Sequence, residues 1–187
     1  RPGNYVKIYK WNGTDWENER NIFGNYGFIK FNDNGETLVI GAYDESSTCN
    51  YSGFMEVWTK RNGFWEKLGS TIEGEYDTDC FGHEVSISAD GNTIAGSSKF
   101  NPDGFESPNT DKIGHVRVYT LVDGDWVQIE NDIDGKAISS VGQRYGESVF
   151  LSPDGKRVVV LHDEAAEVHT YIDSSPEPTP APTPEPT

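Results

Sequence analysis

The sequence predicts an all-β protein of about three tandem four-stranded antiparallel sheets of the β-propeller-blade type, followed by an extended Pro/Thr-rich tail. Three observations carry that reading. Short apolar runs alternate with polar residues, and Gly next to Asn or Asp separates them, which is strand and hairpin patterning rather than a helical period. A motif recurs: an apolar run ending in an aromatic, a Trp seven residues later, an aromatic-Gly pair, an Asx-Gly turn and a second apolar run. The chain then ends in alternate prolines from residue 176 onward, which deny it a strand ladder.

The elements follow in order. The first copy reads Val6-Lys7-Ile8-Tyr9, Trp16, Tyr26-Gly27, Asn34-Gly35 and Thr37-Leu38-Val39-Ile40-Gly41. The second reads Met55-Glu56-Val57-Trp58, Trp65, Phe81-Gly82, Asp90-Gly91 and Thr93-Ile94-Ala95-Gly96. The third reads Val116-Arg117-Val118-Tyr119, Trp126, Tyr145-Gly146, Asp154-Gly155 and Arg157-Val158-Val159-Val160, and a fourth begins at Val168-His169-Thr170-Tyr171. The constant seven-residue gap fits a tight hairpin, with Asn12-Gly13, Asn62-Gly63 and Asp123-Gly124 supplying the positive φ of a type I′ turn. From the Trp to the next turn Asx the gap runs 18, 25 and 28 residues, so length varies in the connections, where recognition usually resides.

Four strands per unit are expected, typified by residues 81–88, 93–97, 115–119 and a fourth around 126–129. In this phase the chain starts with a third and fourth strand, runs through two whole sheets and ends with a first, second and third. Joining the two ends would close only three sheets, fewer than the roughly four blades that propellers need. The alternatives are a longer array or open sheets that seek a partner. Residues 1–173 form the β-repeat domain, and 174–187 a polyproline II tail or linker, its Thr179, Thr183 and Thr187 spaced as O-glycosylation sites. Arg1 stands where a Met would open the chain, so a processed or excised segment is expected.

Phe81-Gly82-His83-Glu84-Val85-Ser86-Ile87-Ser88-Ala89-Asp90-Gly91-Asn92-Thr93-Ile94-Ala95-Gly96, closing with Gly114-His115-Val116-Arg117-Val118-Tyr119, resembles the FG-GAP-like β-propeller repeats of cell-surface and secreted proteins. The resemblance covers most of residues 5–172. It implies roles in adhesion, recognition and scaffolding. Integrin-type members carry calcium loops with alternating Asp/Asn before a Gly, whereas Asn32-Asp33-Asn34-Gly35, Asn101-Pro102-Asp103-Gly104 and Asp123-Gly124-Asp125 each lack the full ligand series. No cofactor is therefore expected, calcium being the one ion these turns leave open.

Charge, cysteines, glycosylation sequons and the Pro/Thr tail together lead to the expectation of a chain outside the cell. With 31 acidic and 15 basic residues, a formal charge of −16, it repels nucleic acid and anionic membranes. No stretch approaches the roughly 18 apolar residues of a membrane span. Cys49 and Cys80, both in polar sequence, favour a disulfide over two unpaired thiols; closing about 30 residues it would contribute roughly 3 to 4 kcal/mol. Asn12-Gly13-Thr14 and Asn50-Tyr51-Ser52 are N-glycosylation sequons, so covalent glycans are expected on Asn12 and Asn50.

Catalytic and metal signatures are missing from the linear sequence. His83, His115, His162 and His169 occupy unrelated repeat positions, and His162-Asp163-Glu164 reads as a solvated turn. The chain is accordingly expected not to be an enzyme. Trp16, Trp65 and Trp126 recur at one repeat position and are assigned to sheet packing rather than sugar stacking, whereas Trp11 has no counterpart and is free to meet a partner. The expected function is an extracellular structural or adhesive glycoprotein, the subunit of a surface filament that binds copies of itself. Val168 and Tyr171 at the incomplete sheet, with Pro176, Pro180 and Pro184 of the tail, are the expected assembly residues. A propeller-type binding module for protein or carbohydrate is the alternative.

Overall fold

The computed structural model describes residues 5–24, 27–42, 52–76, 79–99, 114–135, 145–162 and 165–171. Cys49, Asn50, the turn at residues 101–104, Pro176, Thr179, Pro180, Thr183, Pro184 and Thr187 lie outside them.

The described residues form antiparallel strands and no helix, in four sheets. The first sheet is a hairpin of β1 (Tyr5–Trp11) and β2 (Trp16–Phe23). The second runs β3 (Ile29–Phe31), β4 (Thr37–Ala42), β5 (Phe54–Arg61) and β6 (Phe64–Lys67), with β7 (Ile72–Glu73) also paired to β5. The third repeats this as β8 (Val85–Ile87), β9 (Thr93–Ser98), β10 (His115–Val122) and β11 (Asp125–Gln128), with β12 (Ile133–Asp134) on β10. β13 (Ser148–Leu151), β14 (Arg157–Leu161) and β15 (Ala166–Thr170) make the fourth. This is the phase the repeats predict, two strands, two whole sheets, then three strands, and the end sheets do not pair with each other among the described residues.

Two hairpin turns have the geometry their sequence demands. Asn62-Gly63 (φ 51° and 84°) and Asp123-Gly124 (φ 51° and 87°) are the central pairs between Arg61 and Phe64 and between Val122 and Asp125. The first hairpin departs by one residue. Asn12 N donates to Asp15 O at 3.1 Å, so the central pair is Gly13-Thr14, with positive φ at Gly13 alone, rather than Asn12-Gly13. Asn12 caps the turn instead, its Oδ1 accepting from the backbone N–H of Thr14 and Asp15, each at 2.8 Å.

A second turn recurs at the opposite link of each unit. Gly35, Gly91 and Gly155 N–H donate to the carbonyls of Asn32, Ser88 and Ser152, whose side chains accept from the N–H of Thr37, Thr93 and Arg157. These turns also bond one another: Asp33 N donates to Ala89 O at 3.3 Å and Ala89 N to Pro153 O at 2.9 Å. Gly155, at φ 68°, is required there, since a Cβ would lie 2.6 Å from Thr93 Oγ1.

Three apolar cores lie between consecutive sheets. Ile8 and Ile22 pack on Leu38, Ile40 and Trp65. Val39, Met55, Val57 and Leu68 pack on Phe81, Val85, Ile94, Tyr119 and Trp126. Ala95, Val116 and Val118 pack on Tyr145, Val149, Val158 and Val160. Each sheet thus offers one face backward and one forward, which a lone sheet could not bury. The fourth copy is offset by two residues from its sequence alignment: Arg157 pairs with Thr170 as Thr37 pairs with Thr59 and Thr93 with Thr120. His169, not Tyr171, therefore occupies the aromatic position of Trp58 and Tyr119.

Candidate functional site

Polar side chains converge where the chain enters the third sheet, at the end of β9 and the start of β10. Asp79, His83, Ser97, Ser98, His115 and Arg117 are buried there. Such groups persist in an interior only when paired. Arg117 lies over the Phe81 ring at 3.8 Å and its Nη2 donates to Glu73 O at 3.1 Å. The same guanidinium stands 3.8 Å from Asp79 Oδ2 and 3.9 Å from Glu75 Oε1. Asp79 is fixed in turn, accepting from Ser98 Oγ and from Glu75 N at 2.9 Å. His115 Nδ1 is 3.7 Å from Asp132 Oδ2, and one ligand atom each from Glu75, His115 and Asp132 lies within 4.8 Å of the others. His83 packs on Phe28 at 5.6 Å; burial, reinforced by Lys99 and opposed by Glu147, lowers its pKa to about 4.

The fourth sheet places different chemistry at the matching positions. Tyr145 replaces Phe81, His162 replaces Ser98, Glu167 replaces Arg117 and His169 replaces Tyr119. Tyr145 Oη donates to Glu167 Oε2 at 3.0 Å and lies 2.9 Å from His169 Nε2, while His162 stacks on its ring at 5.5 Å. Burial and then the Glu167 bond push the Tyr145 phenol up, and that same bond holds Glu167 down. A fixed frame has thus been used for a guanidinium in one sheet and a carboxylate–imidazole pair in the next. His162 and His169 thus hold unrelated repeat positions and still meet in one cluster around Tyr145.

The other sequence-predicted residues have plain places. Asn12 is exposed, its Nδ2 donating to Glu17 Oε1 at 2.6 Å. Cys80 is buried and disulfide-bonded. Val168 is 63 % exposed on β15, whereas Tyr171 packs against the core between the third and fourth sheets. Asp125 of one candidate calcium turn instead ties sheets together, accepting from Ser70 N at 2.8 Å and Ser70 Oγ at 3.1 Å. Trp65 and Trp126 are buried, and Trp16 is 62 % exposed. Glu75, Asp132 and Glu167 were not singled out in the sequence, and Tyr145 only as a repeat aromatic; strand register brings Glu167 to Tyr145, and packing between connections brings Glu75 and Asp132 to His115.

No protein-family model matches the sequence, and no curated protein matches it. Solved structures do match. A putative 6-phosphogluconolactonase from Bacteroides uniformis superposes with a TM-score of 0.56 at 12 % identity, over 91 % of this chain and 45 % of that one. The periplasmic gluconolactonase of Pseudomonas aeruginosa superposes with a TM-score of 0.52 at 17 % identity, over 88 % and 46 %. The chain therefore spans just under half the length of these structures, and at such identity the likeness is one of propeller-like fold. It corrects one expectation. Enzymes share this fold, so the missing linear motif does not make the chain a non-enzyme; groups drawn from separate sheets leave no motif to find.

Proposed function

We propose that this chain is an extracellular structural or adhesive repeat protein that assembles head to tail with copies of itself. A single observation carries the reading: the outer faces of the first and fourth sheets are counterparts of faces that are buried inside the array. Phe150, Val159 and Val168 align across β13, β14 and β15, matching the row Ser86, Ala95 and Val118 that turns toward the next sheet. Phe150 is 47 % exposed. At the other end Tyr9, Trp11 and Trp16 hold the positions of Tyr119, Leu121 and Trp126, and the three are exposed. A second copy laying its β1–β2 face on the Phe150–Val159–Val168 face would continue an interface already made three times within the chain.

The resemblance to FG-GAP-like repeats, the acidity, the sequons at Asn12 and Asn50 and the Pro/Thr tail support a surface location and an adhesive role. The tail, with Pro176, Pro180 and Pro184, serves as tether and Thr179, Thr183 and Thr187 as glycan acceptors. Sedimentation analysis of Val168→Glu and Trp16→Lys tests the assembly. Each variant alone should stay monomeric at concentrations where the parent associates, and their mixture should form a dimer and nothing longer, because one good face remains on each. A monomeric parent, or association untouched by both changes, overturns the proposal; loss on deleting residues 174–187 alone would assign the contact to the tail instead.

A further inference from the structure

Independently of assembly, we propose that Glu75, His115 and Asp132 form a three-ligand site for a divalent ion of the zinc class. The ligands come from three separate elements. Glu75 follows β7 of the second sheet, His115 opens β10 of the third, and Asp132 precedes β12. β7 and β12 are counterparts, each pairing with the start of the third strand of its own sheet, so the site sits where two successive sheets meet.

Geometry and charge both favour a cation. The 3.7 Å from His115 Nδ1 to Asp132 Oδ2 is close to the roughly 3.4 Å edge of a tetrahedron with metal–ligand bonds of about 2.1 Å. One ligand atom from each of the three residues already lies within 4.8 Å of the other two. His115 is fully buried and held in register between Ser98 and Asp134, so the imidazole is positioned before an ion arrives. Two carboxylates, Glu75 and Asp79, face the guanidinium of Arg117, and Asp132 adds a third beside His115, leaving the locality negative. Arg117 stands 3.9 Å from Glu75 Oε1, so the guanidinium helps to orient that carboxylate beside the cluster. One imidazole with two carboxylates suits zinc, cobalt or manganese better than calcium, which takes six to eight oxygens. With three protein ligands a fourth position is left to water, the arrangement of catalytic rather than structural zinc sites.

The test is titration of the chelator-treated full chain with Co²⁺, read by visible absorption, and with Zn²⁺, read by calorimetry. One ion per chain is expected, with tetrahedral-type cobalt bands. Glu75→Gln and Asp132→Asn should each weaken binding at least about tenfold, while Asp90→Asn, in a turn remote from the cluster, should leave it unchanged. His115→Asn should abolish it; because that side chain is buried, circular dichroism must first show a folded variant, and the exposed Glu75 keeps the test valid if it does not fold. No saturable binding, or binding indifferent to Glu75→Gln and Asp132→Asn, overturns the site.

Discussion

Replacing Trp126 with alanine tests whether the recurrent tryptophan is the peg that holds one sheet to the next. Its indole is 9 % exposed, and Nε1 donates to Leu68 O, in the preceding sheet, at 2.9 Å. A buried Trp removes about 150–250 Å² from water, which at ~25 cal/mol/Å² gives roughly 4–6 kcal/mol. A compact denatured state lowers that by about 10–40 %. The expected loss is therefore about 4 kcal/mol, within the range for Trp→Ala in cores. Trp65 is 6 % exposed, bonds Glu19 Oε2 at 3.0 Å and should cost nearly as much. Trp16, at the same repeat position but 62 % exposed, should cost about 1 kcal/mol. Urea unfolding followed by circular dichroism at a concentration where the chain is monomeric measures all three. Equal losses at the three sites, or a loss under about 1 kcal/mol at Trp126, would refute the peg.

Three further outcomes are expected. Since His83 is held neutral to about pH 4, against an ordinary 6.5, the unfolded chain binds the extra proton between those values. Stability should thus fall as pH drops from about 6.5 toward 4, and thermal melts of His83→Gln should lose that slope. Gly155→Ala should destabilise by about 2–3 kcal/mol because it adds a Cβ clash with Thr93 to a left-handed backbone, whereas Gly124→Ala, with nothing within 4 Å, should cost about 1 kcal/mol. Asp125→Asn should weaken the tie to Ser70, whose backbone N–H is the main cause of the carboxylate's lowered pKa; the melting temperature of the wild type should then drop more steeply than the variant's as pH falls below about 4.

Strand order was legible because it depends on local chemistry. Alternation marks a strand, and Asn62-Gly63 or Asp123-Gly124 marks a two-residue turn wherever both residues accept positive φ. Asn12-Gly13 misled for the same reason: the dipeptide is identical, but pairing of Trp11 with Trp16 shifts the centre to Gly13-Thr14 and makes Asn12 a cap. Tyr171 misled through its ring, whereas the ladder counts from Thr170 opposite Arg157. The metal cluster was not legible at all. Glu75 and Asp132 sit in connections of unequal length from different sheets, so no fixed spacing relates them to His115, and only packing brings them together.

Pro153 tests whether copies meet through their turns or through their faces. The turns at Asp33 and Ala89 each donate a backbone N–H to the turn of the following sheet, and Pro153 occupies the equivalent place with no N–H to give. A neighbouring copy would present the β1–β2 hairpin, which contains neither a first nor a second strand and so no such turn to accept a bond. The proline therefore costs nothing at this interface, and the contact between copies rests on its apolar faces alone, weaker than the internal ones and dependent on concentration. Ala89→Pro should accordingly remove the 2.9 Å bond to Pro153 O and destabilise the array, by about 1 kcal/mol for the bond. Pro153→Ala should leave association unchanged and reduce stability only by the roughly 0.4–1 kcal/mol of unfolded-chain entropy that proline removes. Sedimentation and urea melts of the two variants separate these effects; stronger association in Pro153→Ala would show that copies meet through their turns, against the face-to-face arrangement.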